Sequence, residues 1–196
     1  KAGIQYRIDN LNERIFSILY DDNTYRIPTI APENASPSHS YYSENALFFS
    51  GYIQDKLEYQ SFIMNAGLRY DSFDPQSTHI DSLLNPEHGL VKSTKKNMIS
   101  PRIGVAYPIT DEGILHFSYG HFYQMPTMRN LFLKNIFGAG LSPTIGYSDL
   151  KPQKTVMYEF GLQQQLSRYI AINGSLFYKD IRDLLALQTI NYNSPT

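Results

Sequence analysis

The chain has no cysteine and no tryptophan among its 196 residues. Without cysteine there is no disulfide framework and no thiolate metal site. An excess of one charge is missing too: the net charge is −1. A nucleic-acid binder carries a basic patch or stripe, so no nucleic-acid partner is expected. No run approaches the roughly eighteen apolar residues of a membrane-spanning helix. That leaves membrane strands open, because a strand crosses with about ten alternating residues and a weak hydropathy signal. The first residues, Lys1-Ala2-Gly3-Ile4-Gln5-Tyr6, contain no apolar stretch of a secretory signal. What is plentiful is aromatic, with 16 tyrosines and 11 phenylalanines. Such residues suit strands and interfacial belts alike, so the count does not choose between them.

The dominant pattern is alternation, the period of β-structure with one apolar and one polar face. In 99–109, Ile99, Pro101, Ile103, Val105, Tyr107 and Ile109 oppose Ser100, Arg102, Gly104, Ala106 and Pro108. Leu115, Phe117 and Tyr119 oppose His116, Ser118 and Gly120. The cleanest case is 62–71, where Phe62, Met64, Ala66, Leu68 and Tyr70 oppose Ile63, Asn65, Gly67, Arg69 and Asp71. Residues 1–7, 46–57, 155–166 and 169–180 read the same way, for about seven strands in all.

The connections alternate in length: 8–45, 58–61, 72–98, 108–113, 125–154 and 167–169 run long, short, long, short, long, short. Up-and-down outer-membrane barrels have short turns at one end and long loops at the other. A soluble sandwich has no reason to sort its loops so. The stretch 8–45 reads as one long polar loop, with a short amphipathic turn near Leu11–Tyr20. Alternation alone leaves open which face looks outward, since a soluble barrel turns its apolar face in and a membrane barrel turns it to lipid.

Several motifs decide the matter. Ser118-Tyr119-Gly120, with Met125-Pro126 after it, closes a strand before a long loop. That loop ends in Ser148-Asp149-Leu150-Lys151-Pro152-Gln153, and Tyr158-Glu159-Phe160-Gly161 lies in the next strand. This series resembles the barrel of TonB-dependent outer-membrane receptors, with Tyr147-Ser148 where Asn-Pro is usual and Gln153 where Glu is usual. Gly51-Tyr52-Ile53-Gln54-Asp55 is similar to a receptor strand that ends at the periplasmic side.

The resemblance implies an all-β, antiparallel, up-and-down transmembrane β-barrel segment with long extracellular loops and short periplasmic turns. Such barrels have about twenty-two strands around a plugged lumen. Residues 1–196 would then be a partial barrel domain, a fragment from the middle or later barrel. The plug domain, the TonB-contacting segment and the signal peptide would lie upstream of Lys1. The implied function is active uptake of a scarce ligand: an iron chelate, cobalamin, a saccharide or a peptide. The implied partners are outer-membrane lipid, the plug, the TonB energy-transducing complex and a small or oligomeric ligand, with no cofactor and no catalysis. A passive porin, an outer-membrane hydrolase and a soluble all-β binding domain are the alternatives.

Four residues on the polar faces, Arg69, Arg102, Glu159 and Lys179, are expected to line the lumen, as structural pairs rather than a substrate path. Tyr123, Met125, Met128 and Arg129 rise from a strand end into the loop 125–154, where loop roots on a rigid scaffold carry binding. They are the ligand-contact candidates. His116 and Ser118, two apart on one face, match the base and nucleophile of an outer-membrane phospholipase. Such an enzyme turns the pair toward lipid, whereas the apolar face here holds Leu115, Phe117 and Tyr119. Small polar lumen residues are the expected reading. His39, His79, His88, His116 and His121 are scattered without ligand spacing, so no metal site is expected. Asp21-Asp22-Asn23 lacks the spacing of a calcium loop, and Gly138-Ala139-Gly140 lacks the lysine of a phosphate loop. Asn34-Ala35-Ser36 and Asn173-Gly174-Ser175 match a glycosylation acceptor that has no meaning in a bacterial outer membrane.

Overall fold

The computed structural model describes residues 1–16, 19–21, 24–26, 39–80, 89–135 and 144–189. Asp22, Asn23, His88, Asn34-Ala35-Ser36 and Gly138-Ala139-Gly140, named above, lie outside these described residues.

Seven long strands form one sheet: β1 (Ala2–Phe16), β2 (His39–Tyr59), β3 (Phe62–Asp74), β4 (Lys96–Thr110), β5 (Gly113–Gln124), β6 (Gln153–Ser167) and β7 (Ile170–Arg182). Neighbours in the sheet are neighbours in sequence, and every pair is antiparallel. The three short connections are two-residue turns at 60–61, 111–112 and 168–169. Each loop at the other end carries its own small element. Thr78–Ile80 pairs with Leu90–Lys92, Lys134–Asn135 pairs with Thr144–Ile145, and Leu19–Asp21 pairs with Thr24–Arg26.

Two expectations are corrected. The polar stretch 8–45 is not one loop. β1 continues to Phe16 and β2 begins at His39, paired residue for residue, so Leu11 belongs to a strand and not to a helical turn. The loop after β5 is not without structure either, since it carries a short helix, α1 (Met128–Phe132). Thr127 caps α1 by accepting a hydrogen bond from Asn130 N at 3.4 Å, and Leu133 N closes the last turn onto Arg129 O at 2.9 Å.

The register turns each alternation into a continuous face. Ala2, Ile53, Leu68 and Pro101 form one apolar row, and Leu57, Met64, Val105, Phe117, Phe160 and Leu176 form another. The opposite face carries the polar members. Aromatics mark the upper edge of the apolar face: Tyr6 beside Phe49, then Tyr70, then the ladder Tyr119–Tyr158–Tyr178, whose ring centroids are 4.9 and 6.3 Å apart. Tyr59, Tyr107 and Tyr169 mark the turn end, all exposed.

The upper row is staggered. Traced through Tyr158, Tyr119, Ile103 and Ala66, Tyr178 falls in register with Asp55, six residues along β2 from Phe49. Spread over β1 to β7, that is about one residue per strand, the stagger that tilted barrel strands require. Phe49 and Tyr59 bound ten steps of β2, which is ~33 Å of strand and ~25 Å of height at a tilt of ~40°.

Buried apolar residues gather at the loop end. Ala46, Phe73 and Met98 come from β2, β3 and β4, while Leu131 and Phe132 come from α1. The Phe48 ring packs 4.7 Å from that of Phe73. By register the three strand residues sit on the polar face, so α1 closes over that face and not over the apolar one.

Candidate functional site

Period-two alternation puts Arg69, Arg102, Glu159 and Lys179 on the polar face together. Arg102, Gly120, Met157 and Lys179 share one row, and Glu159 lies one row further on, beside Ser118. They do not pair with one another. Arg69 binds Asp71, two residues away on the same face, with Nε at 2.9 and 2.8 Å from the two carboxylate oxygens and Nη2 at 2.7 Å. Arg102 stacks its guanidinium on Phe122, 4.7 Å from the ring centroid. Lys179 Nζ lies 5.1 Å from the Phe177 ring. Among the described residues neither Arg102 nor Glu159 forms an ion pair.

The ligand-contact candidates divide. Tyr123, Met125 and Met128 are half-buried and pack against the loop-end cluster, while Arg129 is exposed and joins α1 only through its carbonyl. Tyr123 reaches that cluster because β5 parts from β4. Their register begins at Arg102 and Gly120, so 121–124 have no partner on β4. The opening leaves a concavity of about 350 Å³ between sheet and loop root. Arg69, Asp71, Arg102, Tyr123, Gln124 and Met125 line it, with Phe48 and Met98 as its apolar wall. The structure thus joins two expected lumen residues to two expected ligand contacts. Chemically the concavity offers the Arg69–Asp71 ion pair, the Arg102 guanidinium, the Ser100 and Tyr123 hydroxyls, the Gln124 amide and the Met125 thioether. That set is suited to anionic or hydrogen-bonding groups.

His116 and Ser118 share the polar face, away from the apolar rows. The His116 ring covers Gly161 so closely that an added Cβ would clash with Nε2. The ring therefore fills the space left by a glycine on the neighbouring strand. Among the described residues, no three acidic or histidine side chains cluster as a metal site would need.

Sequence reasoning missed a clasp between two loops. Asp149 Oδ1 accepts from Thr94 N and Oγ1, both at 2.7 Å, and from Lys96 Nζ at 2.6 Å. Next to it Ser93 Oγ lies 2.5 Å from Ser148 Oγ and 3.1 Å from His79 Nδ1, with all three residues buried. The His79 ring meets Tyr147 edge-on at 4.6 Å. Burial alone would raise the Asp149 pKa, but the bonds from Lys96 and Thr94 outweigh it and hold the carboxyl below its ordinary value. The signal was there: Ser148 and Asp149 open the Ser148–Gln153 motif that precedes β6.

The family model for the β-barrel of TonB-dependent receptor-like proteins matches residues 2–196. This chain belongs to the TonB-dependent receptor barrel family. Among solved structures the receptor barrel is similar to a copper transporter, OprC, at 19% identity and a TM-score of 0.52, over 85% of this chain and 25% of that one. It is also similar to the FrpB iron transporter of Neisseria meningitidis in its apoprotein form, at 16% identity and a TM-score of 0.50, over 94% and 27%. These likenesses show the fold. This chain spans about a quarter of the length of the transporters it matches. No curated protein matches it in sequence. The family is one of outer-membrane transport receptors and not of enzymes.

Proposed function

We propose that this chain is a section of the wall of an outer-membrane receptor for TonB-dependent active uptake. The apolar face meets lipid, the polar face lines the lumen, the long loops stand outside the cell and the two-residue turns stand in the periplasm. The observation that carries this reading is the apolar face itself, bounded by two aromatic rows set one bilayer core apart. In hydrocarbon every backbone group must be paired, and a closed barrel built from such strands achieves that.

On this reading Arg69, Arg102, Glu159 and Lys179 are lumen residues, and the concavity under Tyr123 and Met125 is a ligand contact near the outer mouth. Among the described residues Arg102 has no carboxylate partner, so an anionic ligand suits it best, such as a metal chelate with ionised oxygens. The two matched transporters carry copper and iron, which accords with a metal or metal chelate. A plug domain and the energy-transducing complex are the implied partners of the whole receptor. His116 and Ser118 lie on the lumen side, where no lipid substrate reaches them, which disfavours the hydrolase.

The test is accumulation of labelled iron chelates, copper, cobalamin, saccharides and peptides by cells making the full-length receptor. Accumulation of one ligand that stops when the energy complex is deleted supports the reading. Accumulation indifferent to that deletion means a passive pore. Replacing Arg102 with alanine should weaken binding of an anionic ligand about tenfold, the loss of one charge-assisted contact.

A further inference from the structure

The parting of β4 and β5 is local. On one side β3 and β4 stay paired up to Phe73 and Lys96, and on the other β5 and β6 stay paired up to Gln124 and Gln153. Between them the β4–β5 ladder ends at Arg102 and Gly120. The next pair would join His121 to Pro101, which has no N–H to give. Residues 97–101 and 121–124 therefore face each other as two strand edges, and no described backbone hydrogen bond joins them. Each edge is paired along its far side, and the Asp149 clasp ties down the top of β4 at Lys96. The gap is thus a held wedge and not fraying.

The base of the wedge is furnished for an anion. The Phe122 ring lies back over Gly120, where an added Cβ would sit 3.0 Å from Cε2, and the Arg102 guanidinium stacks on that ring. Stacking uses the face of the guanidinium and leaves its N–H donors for hydrogen bonds. Among the described residues they meet no carboxylate. Arg69, in contrast, is locked on Asp71. The concavity of about 350 Å³ is lined from the β4 edge by Met98 and Ser100 and from the β5 edge by Tyr123 and Gln124.

We propose that this wedge binds a short peptide by strand addition, with the peptide's C-terminal carboxylate on Arg102. The inference rests on the reading of this concavity as a ligand contact, and it names the ligand class. Bare strand edges are templates for pairing with another chain. An extended peptide repeats its N–H and C=O groups every ~3.3 Å, the spacing of both edges. Main-chain bonds then give affinity, and pockets for alternate side chains give preference. A compact metal chelate offers no such ladder. The β5 edge of 121–124 matches a peptide of about four residues. The peptide runs antiparallel to β5, toward the base. Its carboxylate arrives where Pro101 offers no donor and Arg102 offers a two-bond fork.

The test uses the full-length receptor in nanodiscs and two pools of tetrapeptides built from Ala, Ser, Val and Tyr, one with free and one with amidated C-termini. Bound peptide is counted by mass spectrometry after equilibrium dialysis. The free-acid pool should be retained about tenfold over the amidated pool, the effect of one charge-assisted contact. Arg102→Gln should remove that preference, and Lys92→Gln, in the ribbon Leu90–Lys92, should keep it. The free-acid peptides should also slow amide exchange at 97–100 and 121–124, whereas acetate at the same concentration should not. Equal retention of the two pools, retention of neither, or retention without slowed exchange at those amides overturns strand addition. Ferric citrate is measured alongside. If it is held through Arg102 while no peptide is retained, the peptide falls and the concavity stands as a chelate contact. If Arg102→Gln alters retention of neither probe, the ligand reading of the concavity falls and the peptide with it.

Discussion

Leu68 and Phe73 lie five residues apart on β3, yet Leu68 is 49% exposed and Phe73 only 1%. Leu68 belongs to the band between the two aromatic rows. There the described residues bury no hydrophobic side chain, and the apolar face stays open from β1 to β7. Phe73 belongs to the loop end, where α1 and the ends of β2 to β4 build a small core of their own. A soluble sheet covers its apolar face with a second layer. Here the covering layer lies over the polar face and only at the loop end. The band depends on lipid for its burial, and the loop end, standing in water, supplies its own.

The comparison can be broken most sharply at Phe73. Replacing it with alanine should cost about 3–5 kcal/mol, the range for a buried phenylalanine, if the loop end is a true core. Urea unfolding of the full-length receptor would measure it, with the loss of hydrogen-exchange protection confined to the loop end. Next comes Leu68→Arg, near mid-band on the apolar face, with an expected cost of about 2–4 kcal/mol in a bilayer. The same change at Asn65, on the opposite face, should cost less than about 0.5 kcal/mol. Equal costs at 65 and 68 would erase the distinction between the faces.

The clasp gives a third contrast. Asp149→Ala leaves Lys96, whose side chain is only 11% exposed, without its carboxylate. The expected cost is about 1–3 kcal/mol, read as faster amide exchange at 93–96 and 146–150 with the turn end unchanged. The pH dependence follows from the sign of the shift. The Asp149 pKa is lowered in the folded state, so its contribution is complete above the unfolded value, about 4, and is lost as pH falls through the folded one. Protection factors in the two loops, which remove the intrinsic pH dependence of amide exchange, should therefore match at pH 7 and pH 5 and fall only below about pH 4. The smallest effect belongs to Glu58→Gln near the turn. Its exposed pair with Lys56 should contribute less than about 0.5 kcal/mol.

Much of the fold was legible wherever the two faces differ in polarity. Phe62–Asp71 could be assigned face by face because one side meets hydrocarbon and the other water. The extension of β1 and β2 through Asn10, Asn12, Ser43 and Asn45 was not legible. Beyond the aromatic row the lipid-side face turns polar and apolar residues such as Leu11, Ala46 and Phe48 appear on the other face, so alternation changes phase although the backbone pairing continues. The five-residue α1 is too short to show a helical period. Charge pairing followed the same rule of two. Arg7–Asp9, Lys56–Glu58, Arg69–Asp71 and Asp180–Arg182 each join residues two apart on one strand face, which period two predicts once the strand is known. The clasp joins Thr94 to Asp149 across fifty-five positions. Only folding could reveal that contact, as it could the parting of β4 and β5 that opens the concavity to Tyr123.

The most direct test of the account is a cysteine scan of β3. These 196 residues contain no cysteine, so single cysteines at positions 64 to 69 of the full-length receptor, in native membranes, report cleanly once any cysteine elsewhere in the receptor is replaced. The account predicts alternation. Positions 65, 67 and 69 should react with a charged, water-soluble thiol reagent, while 64, 66 and 68 should be protected from it and quenched by a lipid-phase probe. Uniform reactivity with the water-soluble reagent along the strand would contradict the account, because the apolar face would then lie in water.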